Sequence, residues 1–348
     1  MPQSFSVLIL CFVLLHAVVT WLARQLFLTY QLVDHPDDRK KHGLAVPYCG
    51  GIALYISLTA LTMILQPNRL LLIMYLPLLF IFVVSLIDDA RKISSYGRLL
   101  AQAVTIVLLI MLLQGANPTA WLSLIPTPIL GLQIVGLFLL IFCGSGIINA
   151  FNMSDGIDGL CAGLSIFANA AFCYLFYLNG LDRCALFCLI LIALLFVFLC
   201  FNFSSRWKIF LGDSGSASLG YLTFAILVTL TIKLKLVGVG TAIWFIACPL
   251  MGMGRVILLR LLKKRSPFQA DRLHVHYLLL DAGMKKFVVL GFILICQLLF
   301  TATGFVFFYE SVPALFSISL FVFIFFLFFS VMHPRAWQRW PFLKMELS

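Results

Sequence analysis

The sequence predicts an all-α polytopic integral membrane protein with about eleven transmembrane helices, its N-terminus periplasmic and its C-terminus cytoplasmic. Three observations predict this. Of the 348 residues, 63% are hydrophobic and only 11% charged, whereas a soluble domain carries about 25% charged residues. The mean hydropathy is +1.09. No soluble globule of this length has enough interior to hide that much apolar surface, so the bilayer is the solvent for most of it. The third observation is the distribution of basic residues between alternate loops.

Apolar runs of spanning length fall at 5–27, 48–66, 70–87, 99–114, 129–148, 158–178, 184–203, 216–233, 238–260, 287–308 and 314–332. The first follows Met1-Pro2-Gln3-Ser4, with no basic n-region and no small-residue cleavage site, so it reads as a retained helix and not a signal peptide. An odd number of spans puts the two termini on opposite sides. All but four of the 24 Lys and Arg (Arg69, Arg183, Lys233 and Lys235) fall on one set of connectors. By the positive-inside rule that set is cytoplasmic. Of the 13 Asp and Glu, only Asp182 and Glu310 fall on the other side. Orientation does not require carboxylates to gather in this way, so a chemical role is expected to hold them there.

The net charge of +11 is explained by topology, and nucleic acid is not expected as a partner. The ten Cys contain no CxxC pair, and most sit inside apolar runs, where they read as small buried hydrophobes. No internal repeat is evident, and no charged residue is expected in mid-helix. Both absences argue against a transporter.

The cytoplasmic loops carry the chemistry. The first contains Asp34, Arg39, Lys40 and His42, then Gly50-Gly51 at the entry to the next helix. It reads either as topology plus headgroup attraction or as a phosphate clamp. Asp88-Asp89 closes an apolar run, and adjacent carboxylates at a membrane boundary suit a cation or proton role as well as a structural one. In Asn149-Ala-Phe-Asn152-Met-Ser-Asp155-Gly-Ile-Asp158-Gly159, a straight helix would point Asn149 and Asp158 to opposite sides. All four polar groups converge only if the helix breaks, which Gly156 and Gly159 permit. Acids and carboxamides with glycines suit Mg²⁺, against the alternative of ordinary Asx turns. Leu211-Gly212-Asp213-Ser214-Gly215 echoes a serine-protease nucleophile run. Wedged between spans, it reads better as a metal-binding or phosphate-orienting Asp213 on a glycine turn. Phe210 beside it reads first as packing. In the last loop, His274 and His276 lie two apart, which excludes a helical HxxxH zinc site. Beside Arg272 they suit a pyrophosphate.

Together these loops resemble the signature loops of the polyprenyl-phosphate N-acetylhexosamine-1-phosphate transferases. The residues that carry the resemblance are Asp88-Asp89, NAFNMSDGIDGL, LGDSGS and PLMGMGRVILLRLLKKRSPFQADRLHVHYLLLDAG. They are most similar to the branch that transfers GlcNAc-1-phosphate to undecaprenyl phosphate. The longer loop ending in His-His-Phe of the cell-wall branch is absent. The resemblance implies one transferase domain over 1–348, with the site built from loops 33–47, 88–98, 149–158, 204–216 and 261–286. It implies a UDP-sugar donor, a polyprenyl-phosphate acceptor, Mg²⁺ (or Mn²⁺) and a bacterial inner membrane with the site facing the cytoplasm. A homodimer is compatible with it. By the same analogy Asp158 and Asp213 hold the metal, and Asp155 helps hold the nucleotide. Phe210 stacks on uracil, and Asp88 and Asp89 face the lipid phosphate. Arg272, His274 and His276 lie near the sugar phosphates, with Asp34, Arg39, Lys40, His42, Asn149 and Asn152 completing substrate binding. The chain departs from the family pattern at Gly252, where Asp is usual, at Lys92, where a third acid is usual, and at Tyr277, where His is usual.

Overall fold

The computed structural model describes residues 3–34, 45–65, 69–114, 130–266 and 273–332. The chain runs α1 (Gln3–Thr29), β1 (Val33–Asp34), β2 (Val46–Pro47), α2 (Gly50–Ile64), α3 (Arg69–Arg91), α4 (Ser95–Gln114), α5 (Leu130–Ser154), α6 (Leu160–Leu178), α7 (Asp182–Asn202) and α8 (Gly212–Val228). It continues through α9 (Val239–Ala242), α10 (Ala247–Leu262), α11 (Val275–Asp281), α12 (Lys286–Tyr309) and α13 (Ala314–Val331). Ten helical stretches among the described residues are long and apolar enough to cross a membrane. The apolar α2, at 15 residues, falls short of that length. The strands form a single antiparallel pair, Val33 with Pro47 and Asp34 with Val46.

The centre of the bundle is α8. Every residue from Ser214 to Val228 is buried, as expected of a helix with no polar face to present. It packs against α2, α3, α5 and α6. Small residues let these helices approach closely, as in membrane bundles generally. A Cβ on Gly220 would lie 2.7 Å from Cα of Ile148 in α5, and one on Gly51 would lie 2.8 Å from Cα of Gly215. The Gly50-Gly51 pair is therefore explained by packing of α2 on the start of α8. Gly51→Ala is expected to overpack this backbone contact and lower stability by about 1–3 kcal/mol. Thermal unfolding in detergent checks this, with Gly291→Ala, where a Cβ meets nothing within 4 Å, leaving the midpoint unchanged or slightly raised. At the other extreme, α13 fully buries only Ser317, with Phe321 set edge-on against Trp244 and many of its other apolar side chains exposed.

The span from Val239 to Leu262 is broken. A tight 3₁₀ turn, Ile243–Ile246, separates α9 from α10. Pro249 lacks the N–H that would serve the Phe245 carbonyl in a regular helix. Gln297 of α12 serves it instead. Its Nε2 donates to Phe245 O (3.1 Å) and Trp244 O (3.2 Å), and its Oε1 accepts from the Cys248 N–H (2.9 Å). Irregular backbone at membrane depth survives only when its polar groups are satisfied in this way.

Several helix ends differ from the spans expected from hydropathy, three of them at the site. The last turn of α3 includes Asp88 and Asp89, α5 runs on through Asn149 and Asn152 to Ser154, and α8 begins at Gly212. The polar residues there are helical because they face one another at one end of the bundle and not lipid. Contrary to the expectation of no charge in mid-helix, Arg255 lies buried inside α10, its Nε donating to Met332 O at 3.1 Å, and a further ionisable side chain sits within α1. His16 of α1 is buried, and its Nδ1 is 2.9 Å from Ser57 Oγ of α2.

Candidate active site

The N-terminus of α8 organises the site. The first amides of a helix lack intrahelical acceptors and carry a partial positive charge. The Asp89 carboxylate accepts two of them, from the Asp213 N–H (2.7 Å) and the Ser214 N–H (3.0 Å). This joins the end of α3 to the start of α8. Gly212 adopts φ +80°, and a Cβ there would sit 3.0 Å from Asp89 Oδ2, so both its backbone and its space require glycine. Tyr48, ahead of α2, lies beside this junction. Burial, and then the Asp89 and Asp34 carboxylates, push its phenol above the ordinary range, so it remains neutral.

With its backbone held by Asp89, Asp213 turns its side chain to α5. Its Oδ1 accepts from Asn152 Nδ2 at 2.8 Å, and the same nitrogen is 3.0 Å from Ser216 Oγ. Asn149, one turn earlier on the same face of α5, is fixed by a reciprocal amide pair. Its Nδ2 donates to Gln102 Oε1 (2.9 Å), and Gln102 Nε2 donates back to Asn149 Oδ1 (3.3 Å). Asp88 is buried, accepts the Ile93 N–H at 2.5 Å, and faces Arg98 Nε at 3.5 Å. The result is a small cleft whose polar lining includes Asp88, Arg98, Gln102, Asn149, Asn152 and Asp213. Asp213 lies close enough to repel both Asp88 and Asp89 electrostatically.

A second charged cluster draws on three other segments. Asp158, in the turn between α5 and α6, accepts from Lys208 Nζ at 2.5 Å and from Lys286 Nζ of α12, both on Oδ2. The Lys208 ammonium also lies over the Phe210 ring, 5.6 Å from its centroid. Asn202 Nδ2 donates to Ile209 O at 2.8 Å and closes the loop that carries both residues.

Against known sequences, the Glycosyl transferase family 4 profile matches residues 71–231. The chain is 33% identical over 332 residues to the undecaprenyl-phosphate alpha-N-acetylglucosaminyl 1-phosphate transferase of Escherichia coli (strain K12), covering 92% of this chain and 89% of that protein. It is 32% identical over 333 residues to the protein of the same name from Salmonella typhi, covering 94% and 90%. Against the Haemophilus influenzae (strain Rd) protein of that name it is 32% identical over 321 residues, covering 89% of each. The chain belongs to glycosyl transferase family 4. It is a multi-pass membrane enzyme of the transferase class.

Within this family member, the expected site residues divide into groups. Asp88, Asn149, Asn152 and Asp213 line one cleft, and Asp89 supports it from behind. Asp158 lies with Lys208 and Lys286 and is not among the residues lining that cleft. Asp155 is exposed in the turn after α5, its N–H donating to Asn152 O at 3.1 Å. His274 stands at the residue before α11 without a side-chain bond to the helix end, and its ring stacks on that of His276 with centroids 5.4 Å apart. The short extended stretch before α11 brings the i and i+2 rings together. Both rings border a separate, mainly apolar crevice, which Gly252 also lines. A Cβ on Gly252 would meet nothing within 4 Å, so glycine leaves this wall recessed. Asp34 lies in β1. Arg39, Lys40, His42 and Arg272 lie outside the described residues.

Arg98 and Gln102 were not anticipated from sequence. A signal was present, since they stand four apart at the start of α4 and so share a face. They also follow directly on the Asp88-Asp89 loop.

Proposed function

We propose that the protein transfers GlcNAc-1-phosphate from UDP-GlcNAc to undecaprenyl phosphate, releasing UMP and undecaprenyl-diphospho-GlcNAc. The observation that carries this is the cleft itself. Two carboxylates, Asp88 and Asp213, and two anchored carboxamides, Asn149 and Asn152, converge with one cation, Arg98. The relatives' printed activity supplies the substrates.

The cleft's oxygen-rich donor set fits Mg²⁺ (or Mn²⁺). Among the described residues no group of three or more His, Cys, Asp or Glu could hold a metal by itself. That suits Mg²⁺, which is held by one or two carboxylates together with substrate phosphates and water. Asp213 and Asp88 would hold it, and its presence would relieve their mutual repulsion. Bound there, the ion would neutralise charge on the diphosphate.

The chain's own residues account for the rest. Phosphoryl transfer depends mainly on positioning and charge neutralisation. The acceptor phosphate has a second pKa near about 6, so at neutral pH it is largely dianionic and attacks the β-phosphorus without a general base. Its oxygen forms the new P–O bond while the bond to UMP breaks. Arg98 binds the acceptor phosphate. Asn149 and Asn152 hold the wall of the cleft, their amide hydrogens committed to Gln102 and Ser145 and to Asp213 and Ser216, and so they orient Asp213 and do not donate to substrate. Phe210 offers its ring to the uracil. The excess of Lys and Arg on these loops supports a site at the cytoplasmic face, read here as that of a bacterial inner membrane, where its product would start an envelope polysaccharide such as O-antigen.

The test supplies the purified protein in detergent with undecaprenyl phosphate, Mg²⁺ and UDP-GlcNAc labelled in the sugar. Label is expected in the lipid phase, reduced at least about a hundredfold by EDTA and restored by Mg²⁺. Transfer with a different UDP-N-acetylhexosamine alone would keep the chemistry and change the donor. No transfer from any donor, by folded protein, would refute the reading.

A further inference from the structure

Asp158 holds more positive charge than it needs. Two ammonium groups, from Lys208 and Lys286, converge on its single oxygen Oδ2. The cluster carries one net positive charge, and the two cations repel each other. Both lysines are partly exposed, with side-chain accessibilities of 27% and 42%. A partly exposed ammonium that detaches is solvated by water, and Asp158 stays neutralised by the other.

The two lysines are not equivalent. Lys208 alone lies over the Phe210 ring. The backbone that carries this ring is held, because the Phe210 N–H donates to Pro47 O (2.9 Å) and its carbonyl accepts from the Gly50 N–H (3.0 Å). The ring thus springs from an anchored point, and the cation covering it is on a long, partly exposed side chain. A planar base cannot stack on that face until Lys208 leaves it. Phe210 is also three residues before Asp213, so the ring and the carboxylate of the cleft come from one short segment.

We infer that Lys208 is a donor-binding residue that exchanges partners. Without nucleotide it covers Phe210 and pairs with Asp158. With nucleotide the base takes the ring face and Lys208 swings to the diphosphate, leaving Lys286 as the resident counter-ion of Asp158. This inference rests on the uridine-nucleotide donor proposed above.

The test compares equilibrium binding of UDP and of uridine to the full-length protein in detergent, for wild type, Lys208→Met and Lys208→Arg. Lys208→Met is expected to weaken UDP about tenfold, the loss of one charge-assisted phosphate contact. Uridine, which has no phosphate, is expected to bind equally well or more tightly, because the ring is uncovered. Lys208→Arg should restore most of the UDP affinity. Lys208→Gln replaces Lys208→Met if the latter does not fold. Equal losses for UDP and uridine would show a merely structural lysine and overturn the inference, as would no change for either. The expected binding pattern without lipid transfer would sustain the inference and refute the transferase reading. Failure of the wild type to bind UDP would overturn both.

Discussion

Asp213→Asn is expected to lower the turnover number at least about a thousandfold, the upper range for removing one preorganised electrostatic group from an active site. The substitution keeps the size and shape of the side chain and removes its charge. The residue's backbone is held independently, since its N–H goes to Asp89, so the start of α8 stays in place. Asn152 loses a charged acceptor but not a neighbour. The expected signature is therefore a catalytic loss with little change in the thermal unfolding midpoint in detergent. A variant that retains more than about a tenth of wild-type turnover would show that Asp213 bears no essential charge. A collapse of the midpoint would show a structural role instead.

The largest expected effect on stability lies far from the chemistry. Gln297→Leu leaves the carbonyls of Trp244 and Phe245 and the N–H of Cys248 without the partner that Gln297 supplies to each. Each buried group left unsatisfied costs about 1–3 kcal/mol in a soluble protein. Hydrogen bonds between membrane helices average less, so a total of about 3 kcal/mol is expected. Because Cys248 and Pro249 also border the apolar crevice beside His274 and His276, the break in this span shapes that wall as well. The unfolding midpoint in detergent measures the effect. Gln297→Glu keeps an acceptor for Cys248 and is expected to lose less. A Leu variant as stable as wild type would mean that other groups satisfy the broken turn.

Much of this architecture is legible in the sequence. Hydropathy finds the spans because lipid-facing helices such as α13 must be apolar along their whole length. It misplaces their ends where polar residues remain helical. Asn149 and Asn152 read as loop residues, yet α5 carries them, because their partners Gln102 and Asp213 come from neighbouring helices. The acids stand out as candidates, but their division of labour does not. Asp88 and Asp89 are adjacent in sequence. In the fold, one faces the cleft and the other turns back to hold the amides of α8. Asp158 appears in sequence as one more acid, and its two lysines come from residues 50 and 128 positions away. No local pattern announces a pairing that only tertiary packing creates. The same holds for Gln297, an ordinary polar residue in an apolar run until the broken helix beside it is seen.

The most direct measurement of the central claim follows the phosphorus. UDP-GlcNAc labelled in its β-phosphate is incubated with the purified protein, undecaprenyl phosphate and Mg²⁺, and the lipid and aqueous products are separated. Sugar-1-phosphate transfer predicts that the label enters the lipid and that unlabelled UMP is released in equal amount. Label left in the aqueous phase as UDP, with sugar alone on the lipid, would contradict it, and so would no labelled lipid from folded protein.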